Sequence, residues 1–399
     1  MKRFFTKCHT YICREGVYYS FVILGVLFAS LLRQVNAMLL FSSLLVCPLF
    51  IAWWLSRRTI RKLKIRRKIP SHVHAGDTFV SQIELTNPRS KISSWGVIAE
   101  DHIEVVDSGT GKKQPLHQPA VYFDFVKPND GKRKSYIGRL PDRGKYRFLP
   151  MTLSTRFPCG FFRSTVTEGE TAEMYVLPRI GKLAAHWLTR QHDANETVLR
   201  KRYRPSRVTG EFLGVRGWQH GDAKRWIHWR ASARHDQLVV RQYERHQNRD
   251  AAILLDLFQP GMTTPIVEEN VELAVSFAAT LASEIIRRGG CNLTFGTFQE
   301  KIELYGGPSA APLLEQILER LAVLKIMKED RLAELLFETL TVSDPNADLI
   351  LVTHQPLNFN ESKRFHVFKN DPRLRVIAQR VRLVDTSDSG FDQIFETNS

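Results

Sequence analysis

The chain has 399 residues, enough for two or three compact units. Its net charge of +16 at pH 7 would fit a nucleic-acid-binding protein, but the excess is concentrated at one end. Residues 1–70 hold 13 Lys and Arg against one acid, a net of +12, so residues 71–399 carry only +4. This distribution disfavours a nucleic-acid-binding role for the chain as a whole. The five cysteines are odd in number and lack metal-ligand spacing, which fits a reducing compartment without disulfides.

Two apolar runs follow the N-terminal stub, at residues 16–32 and 37–55. Each is close to the ~20 residues that a helix needs to cross the hydrocarbon core of a bilayer. Only four residues separate them, so we predict a transmembrane helical hairpin over residues 1–56. Trp53 and Trp54 lie where an interfacial aromatic anchor belongs.

Basic residues flank both ends of this hairpin, whereas Arg33 is the only one in the turn. The positive-inside rule then predicts a multi-pass protein of the plasma membrane whose soluble part is cytoplasmic. Residues 57–74 form a basic juxtamembrane segment, and its Lys/Arg run could contact anionic lipid headgroups. The alternative for the first run is a signal peptide cleaved after Val35-Asn36-Ala37. The length of that run and the second span behind it disfavour cleavage.

Residues 75–180 contain short apolar runs separated by Gly, Pro, Asp and Lys. Short strands at such spacing predict a β-sandwich. The polar, irregular stretch 181–209 is predicted to be a connector.

From residue 250 the pattern changes to alternating strands and helices, which predicts an α/β domain with a mostly parallel sheet. One helix has clear boundaries: Thr264 as N-cap, Pro265 at the first position and Gly289 as terminator. Strands are predicted at 251–258, 293–298, 349–353 and 374–383, and further helices at 312–325 and 331–339.

Between these regions lie residues 200–249, which we call the Arg/Trp block. They carry a net charge of +9 and are rich in Arg and Trp. One hypothesis is structural: Asp222 caps a helix that begins near Ala223, with Arg225 and Arg230 nearby to pair with it. The side chains of Trp226, Ile227 and Trp229 then pack that helix onto the sheet. The other hypothesis is a partner-docking patch, because Arg and Trp are enriched at interface hot spots. Catalysis by Asp222 is disfavoured because no acid, base or nucleophile accompanies it at a suitable spacing.

The block resembles a bacterial and archaeal family known as domain of unknown function 58. The resemblance rests on Gly210-Glu211-Phe212, Val215-Arg216, Gly221-Asp222, Arg225-x-Ile227-x-Trp229 and Ala233-Arg234. A second match comprises Arg143-Gly144-x-Tyr146 and the run Phe157-Pro158-Cys159-Gly160-Phe161-Phe162.

The resemblance implies a membrane anchor and a von Willebrand A-like domain over residues 210–399. It also implies an association with MoxR-type AAA+ ATPases and often with transglutaminase-like membrane proteins. No catalytic residues follow from it. Domains of the von Willebrand A type bind Mg²⁺ through Asp-x-Ser-x-Ser, whereas Asp256 is followed by Leu-Phe-Gln-Pro, without side-chain hydroxyls. We therefore expect no metal, and Asp256, a sheet-end acid, is expected to cap the sheet edge or to meet the Arg/Trp block.

The resemblance, taken with these observations, implies a non-enzymatic, cofactor-free adaptor or scaffold at the bacterial inner membrane, which docks a MoxR-type AAA+ ATPase or its client. The residues expected to form or brace the docking site are Gly210, Glu211, Arg216, Gly221, Asp222, Arg225, Trp229, Arg230 and Arg234. The alternatives are a cell-envelope enzyme and a sensor of anionic ligands, and nucleic acid is a disfavoured partner.

Overall fold

The computed structural model describes residues 8–33, 36–108, 118–184, 187, 212–220, 222, 224–243, 250–344, 347–357 and 381–397. The chain divides into two compact units. Unit 1 comprises residues Met1–Arg179 and Leu318–Ile326, and unit 2 comprises Ile180–Ile317 and Met327–Ser399. The predicted connector falls almost entirely outside the described residues, apart from residues 181–184 and Trp187.

Unit 1 begins with strand β1 (His9–Ile12) and two long apolar helices, α1 (Arg14–Arg33) and α2 (Asn36–Ile60). Both helices are long and apolar enough to cross a membrane, and they contain the predicted spans. The Tyr19 hydroxyl on α1 donates to the Leu45 carbonyl on α2 at 3.1 Å. Most of their apolar side chains are exposed, as expected for helices whose partner is lipid.

The last turn of α2 is fixed within unit 1. Thr59 and Ile60 are buried there, and the Arg89 guanidinium donates to the carbonyls of Arg58 and Thr59. The Ser94 hydroxyl also donates to the Thr59 carbonyl, at 2.9 Å. These bonds satisfy C-terminal carbonyls that have no partner within the helix.

The rest of unit 1 is largely antiparallel β structure, in the range for which the sequence predicts a β-sandwich. The strands are β2 (Lys64–Lys68), β3 (His72–His74), β4 (Thr78–Asn87), β5 (Ser94–Glu100), β6 (Ile103–Ser108), β7 (Ala120–Val126), β8 (Asp130–Arg139), β9 (Gly144–Phe148), β10 (Met151–Thr155), β11 (Phe162–Glu168) and β12 (Ala172–Leu177). They form sheets of order β1-β11-β10-β5-β7, β3-β12-β9-β6 and β2-β4-β8, in which β3 and β12 are the only parallel pair among the described strands.

The basic stretch after α2 differs from the predicted juxtamembrane segment, because part of it is folded into the sheets. Residues 64–68 form β2, where Ile65 and Arg67 point away from the exposed Lys64, Arg66 and Lys68. The Arg67 side chain is buried against Asp101, with 2.5 Å between Nη1 and Oδ1, and also donates to the Phe148 carbonyl. Burial and the Asp101 charge raise the pKa of Tyr136, whose hydroxyl donates to Asp101.

The Arg143-Gly144-x-Tyr146 motif is buried within unit 1. The Arg143 guanidinium donates to the carbonyls of Leu321 and Leu324, which belong to the 318–326 part of the unit. Gly144 has φ +153°, and a Cβ there would lie 2.5 Å from the Asp107 carbonyl oxygen. The motif is therefore explained by packing and helix-end capping.

Unit 2 contains a mixed five-stranded sheet, which corresponds to the predicted α/β pattern only in its coarse form. Its strands are β16 (Ala251–Asp256), β17 (Asn292–Phe298), β18 (Ile302–Pro308), β19 (Asp348–Thr353) and β20 (Arg382–Asp385). The order is β18-β17-β16-β19-β20, with three parallel pairings and an antiparallel β17–β18 pair. Shorter strands are β13 (Lys182–Leu183), β14 (Phe212–Gly217), β15 (Val239–Tyr243) and β21 (Phe395–Glu396).

The helices of unit 2 are α3 (Trp229–His235), α4 (Pro265–Arg288), α5 (Ala311–Val323, shared with unit 1) and α6 (Leu332–Val342). The boundaries predicted for α4 are confirmed. The Thr264 hydroxyl accepts from the Val267 amide, Pro265 is the first helical residue, and the Gly289 amide donates to the Ile285 carbonyl. Strand β20 covers Arg382–Asp385, and residues 374–380 of the last predicted strand lie outside the described part of the chain.

The buried Arg67–Asp101 pair yields a stability prediction. Asp101→Ala should lower the free energy of unfolding by about 3–5 kcal/mol, because it leaves a buried guanidinium uncompensated. Glu84→Ala is the matched control, since the Arg133–Glu84 pair is exposed and should be worth about 1 kcal/mol or less. Urea unfolding of the full chain in detergent measures both. Equal losses in the two variants would contradict the assigned role of the buried pair.

Candidate functional site

The described residues of the Arg/Trp block lie in two paired strands and in the chain that joins them. Strands β14 and β15 are antiparallel, with Arg216 opposite Val240 and Gly217 opposite Val239. The Trp218 amide continues this ladder by donating to the Leu238 carbonyl at 2.8 Å. The chain between the strands contains a 3₁₀ turn (Lys224–Trp226) and helix α3.

A bidentate ion pair fixes the loop after β14. Arg216 Nη1 and Nη2 donate to the two carboxylate oxygens of Asp222, each at 2.8 Å, and the Gln219 amide donates to Oδ2 at 2.9 Å. The Arg216 hydrogen bonds, followed by that of Gln219, lower the pKa of Asp222. The same pairing raises the pKa of Arg216. Paired geometry of this kind gives a charge-assisted contact with a defined orientation.

The structure shows Asp222 bonded to the loop before a 3₁₀ turn that begins at Lys224, near the helix start predicted at Ala223. Helix α3 begins six residues later than expected, at Trp229, and its N-cap is His228, whose Nδ1 accepts from the Ala231 amide at 3.2 Å. The hydrogen bonds that the structure gives the Asp222 carboxylate come from Arg216, on the preceding strand, and from the Gln219 amide. Asp222 therefore braces the loop.

One side of α3 is packed onto β15. The Val239 amide donates to the buried Ser232 hydroxyl at 3.0 Å, and the His228 amide donates to the Val239 carbonyl at 2.9 Å. Ile227, also buried, forms an isolated bridge with Val240. These contacts fix the orientation of the short helix relative to the strand pair.

The opposite side of α3 is exposed, and we call Trp229, Arg230, Ala233 and Arg234 the α3 face. The pairs 229/233 and 230/234 are each four residues apart, so they line the same side of the helix. Trp229 is 66% exposed, although the structural hypothesis expected it to pack onto the sheet. Of the residues in that hypothesis, Ile227 is buried and Trp226 is half-buried.

Three predicted site residues, Gly210, Glu211 and Gly221, lie outside the described residues. Arg225 lies in the 3₁₀ turn, and its side chain is outside the described part. The site residues that the structure brings together are thus Arg216 with Asp222, and Trp229 with Arg230 and Arg234.

Asp256 lies at the carboxyl end of β16. It is 8% exposed, and its Oδ1 accepts from the Phe258 amide at 3.1 Å. Among the described residues, no group of three His, Cys, Asp or Glu side chains could hold a metal ion. The geometry at Asp256 supports a structural role at the strand end.

Two exposed side chains of the block were missed by sequence reasoning. Trp218 is 37% exposed and Leu238 is 47% exposed, at the two positions joined by the backbone bond that closes the strand pair. No periodicity in the sequence separates them from core residues, because their exposure depends on where the ladder ends.

The Arg216–Asp222 pair yields a pH prediction. The Gln219 amide shift should titrate with a midpoint below the ordinary aspartate value of about 3.9, because its N–H bonds the carboxylate. Since the folded-state pKa is lowered, the pair stabilises the loop above that ordinary value, and this contribution is lost as pH falls through the lowered pKa. NMR of the chain labelled with ¹⁵N-glutamine measures the midpoint.

Arg216→Ala should raise the midpoint toward about 3.9, because it removes the strongest interaction with the carboxylate. Arg230→Ala is the control, since Arg230 lies on the exposed face of α3 and should leave the midpoint unchanged. An unchanged midpoint in Arg216→Ala would contradict the assignment of Arg216 as the main partner of the Asp222 carboxylate.

Solved structures resembling parts of the chain have low sequence identity and low TM-scores. A CARDB domain from Pyrococcus furiosus is 14% identical, with 29% of this chain and 91% of that one covered and a TM-score of 0.18. A β-glucosidase from Listeria innocua is 12% identical, with 29% and 16% covered and a TM-score of 0.20. A DNA-bound alkylpurine DNA glycosylase from Pseudomonas fluorescens is 12% identical, with 35% and 38% covered and a TM-score of 0.19. These likenesses are too low to bear on fold or function.

None of the curated proteins matches the chain. The model of one protein family does match, over residues 214–325, and its description is "Protein of unknown function DUF58". The matched range begins within β14 and includes the Arg216–Asp222 pair, the α3 face and Asp256. This match supports the assignment of the chain to the DUF58 family.

Proposed function

We propose that the protein is a non-enzymatic adaptor of the bacterial inner membrane, which docks a MoxR-type AAA+ ATPase or its client through the α3 face. One observation carries the proposal. A large aromatic side chain, Trp229, is 66% exposed beside two arginines on a helix whose other side is fixed by hydrogen bonds. Trp and Arg are the residue types that dominate interface hot spots.

The energetics of Trp229 favour a protein partner. A tryptophan buries about 150–250 Å² when it is enclosed, so covering the exposed two-thirds of Trp229 would contribute on the order of 3 kcal/mol. Arg230 and Arg234 can each present a guanidinium to a carboxylate in bidentate geometry. The expected partner surface is therefore an apolar pocket rimmed by acids.

The Arg216–Asp222 pair and the hydrogen bonds of α3 hold the α3 face in one conformation before a partner binds. The Arg216–Asp222 pair fixes the loop before the 3₁₀ turn, and the His228 and Ser232 bonds fix α3. A surface held in its binding conformation loses less conformational entropy on association. The structural and docking hypotheses are thus both retained, for different residues of the block.

Helices α1 and α2 and the basic residues around them support the proposed membrane setting. Both helices are long and apolar enough to span, and the Lys/Arg excess on either side of the hairpin favours cytoplasmic ends. The cytoplasm is where an ATP-driven partner operates. We take unit 2 to be the von Willebrand A-like domain implied by the family resemblance. Its mixed sheet and helices α4 and α6 support this assignment.

A crosslinked affinity pull-down from native membranes tests the docking. Wild type should recover an AAA+ ATPase, and Trp229→Ala should reduce recovery at least tenfold, as expected for a hot-spot residue worth about 2 kcal/mol. Arg230→Ala with Arg234→Ala should also reduce recovery. The matched controls are Phe337→Ala and Arg288→Ala, which remove an exposed aromatic and an exposed arginine elsewhere in unit 2. They should behave like wild type.

Two outcomes would refute the proposal. Wild type that recovers no AAA+ ATPase would remove the proposed partner. Recovery that is equal for Trp229→Ala and Phe337→Ala would remove the α3 face as the docking site. Because Trp229 is exposed, its substitution should leave folding intact, and urea unfolding of each variant checks this.

A further inference from the structure

Unit 1 carries a loop of half-buried aromatic and exposed apolar residues, to which neither the membrane hairpin nor the α3 face assigns a role. Residues 156–161, which we call the tip, join β10 to β11 and read Arg-Phe-Pro-Cys-Gly-Phe. Pro158 and Cys159 are exposed, whereas Phe157 and Phe161 are half-buried. No charged residue lies between Arg156 and Arg163. Exposed apolar residues between two arginines, as at Pro158 and Cys159, are typical of a surface that meets a protein or a membrane.

The tip is fixed against the first turns of α1. The Phe161 ring stacks on the Tyr19 ring, with centroids 4.6 Å apart and planes 14° from parallel. The Phe161 carbonyl accepts from the Cys13 amide at 2.8 Å. It also approaches Gly16 so closely that a Cβ there would lie 2.4 Å from the carbonyl oxygen. The depth of the tip is therefore set by α1.

The contacts place the tip at the edge of the apolar span. The uncharged run of α1 begins at Gly16, and Tyr19 lies three residues further, about 4–5 Å along the axis. On α2, Trp53 is as far from the connection between the helices as Gly16 is. Trp53 and Trp54 are partly exposed, and the guanidinium groups of Arg57 and Arg58 lie over their rings. Aromatic side chains followed by arginines mark the interfacial depth of a membrane.

The aromatic surface extends from the tip onto the neighbouring strand. Trp95 on β5 is 44% exposed, its ring lies 5.9 Å from that of Phe157 at 14°, and it also contacts Phe125 at 4.2 Å. Arg156, at the start of the tip, is exposed and can reach lipid phosphates. Ring contacts thus link Trp95 to the tip through Phe157, and the tip to α1 through Phe161 and Tyr19.

We propose that the tip and Trp95 form a third membrane contact, seated at the boundary between lipid headgroups and acyl chains. The occupant of this surface is lipid, because the tip contacts the first turns of α1, one of the two helices proposed to span. The inference rests on the membrane hairpin of the proposed function. Its consequence is that α1, α2 and the tip together fix the height and tilt of unit 1 above the bilayer.

Depth-dependent fluorescence quenching of the full chain tests this contact. Variants with one cysteine each carry a nitrobenzoxadiazole label at native Cys159, at native Cys47 in the α2 span, or at Thr171→Cys. Thr171 is exposed and lies beyond the far end of β11, about 20 Å from the tip. The protein is reconstituted in vesicles of phosphatidylethanolamine and phosphatidylglycerol, and quenchers are lipid nitroxides at two depths and aqueous iodide.

The shallow nitroxide should quench the Cys159 label at least twofold more than the Thr171→Cys label, and the deep nitroxide should quench the Cys47 label. If the Cys47 label is insensitive to lipid nitroxide, the membrane hairpin fails and the proposed function fails with it. If Cys47 is in lipid but Cys159 behaves like Thr171→Cys, the tip contact is overturned and the hairpin stands. A Cys159 label shielded from nitroxide and iodide alike would show cover by protein, which also overturns the contact.

Discussion

The last turn of α2 ends inside unit 1, and this attachment fixes the apolar helices to the β structure of that unit. Its final carbonyls accept from Arg89 and Ser94, and the Ser56 hydroxyl donates to Ser164 on β11. A helix capped by side chains of the adjoining sheets cannot rotate freely against them. Two helices suited to a bilayer are therefore a rigid extension of a β unit, unlike an anchor on a flexible tether.

The Arg/Trp block illustrates how one motif divides its residues between support and exposure. Arg216 and Asp222 bond each other and the loop backbone, while Trp229, Arg230 and Arg234 lie on the outer side of a helix fixed by His228 and Ser232. The matched family range contains both sets. A requirement for a rigid, exposed face accounts for the presence of both in one short segment.

Sequence reasoning succeeded where the signals are local. Thr264, Pro265 and Gly289 fixed the ends of α4, because caps and terminators act within one turn of the helix. The apolar run from residue 251 marked the buried strand β16 for the same reason. It failed where a side chain finds its partner across the fold. Arg67 stands in a basic run but is buried by Asp101, 34 positions away. Aspartate is a residue type favoured at helix N-caps, yet both carboxylate oxygens of Asp222 accept hydrogen bonds from Arg216 on the preceding strand.

In the proposed function, the membrane hairpin holds both units on the cytoplasmic side of the membrane, where an ATP-driven partner operates. Reporter fusions at the C-terminus test it most directly, with a fluorescent protein that matures only in the cytoplasm and an alkaline phosphatase active only in the periplasm. The account predicts a fluorescent first fusion and an inactive second one. An active phosphatase would place the α3 face outside the cytoplasm and contradict the adaptor function.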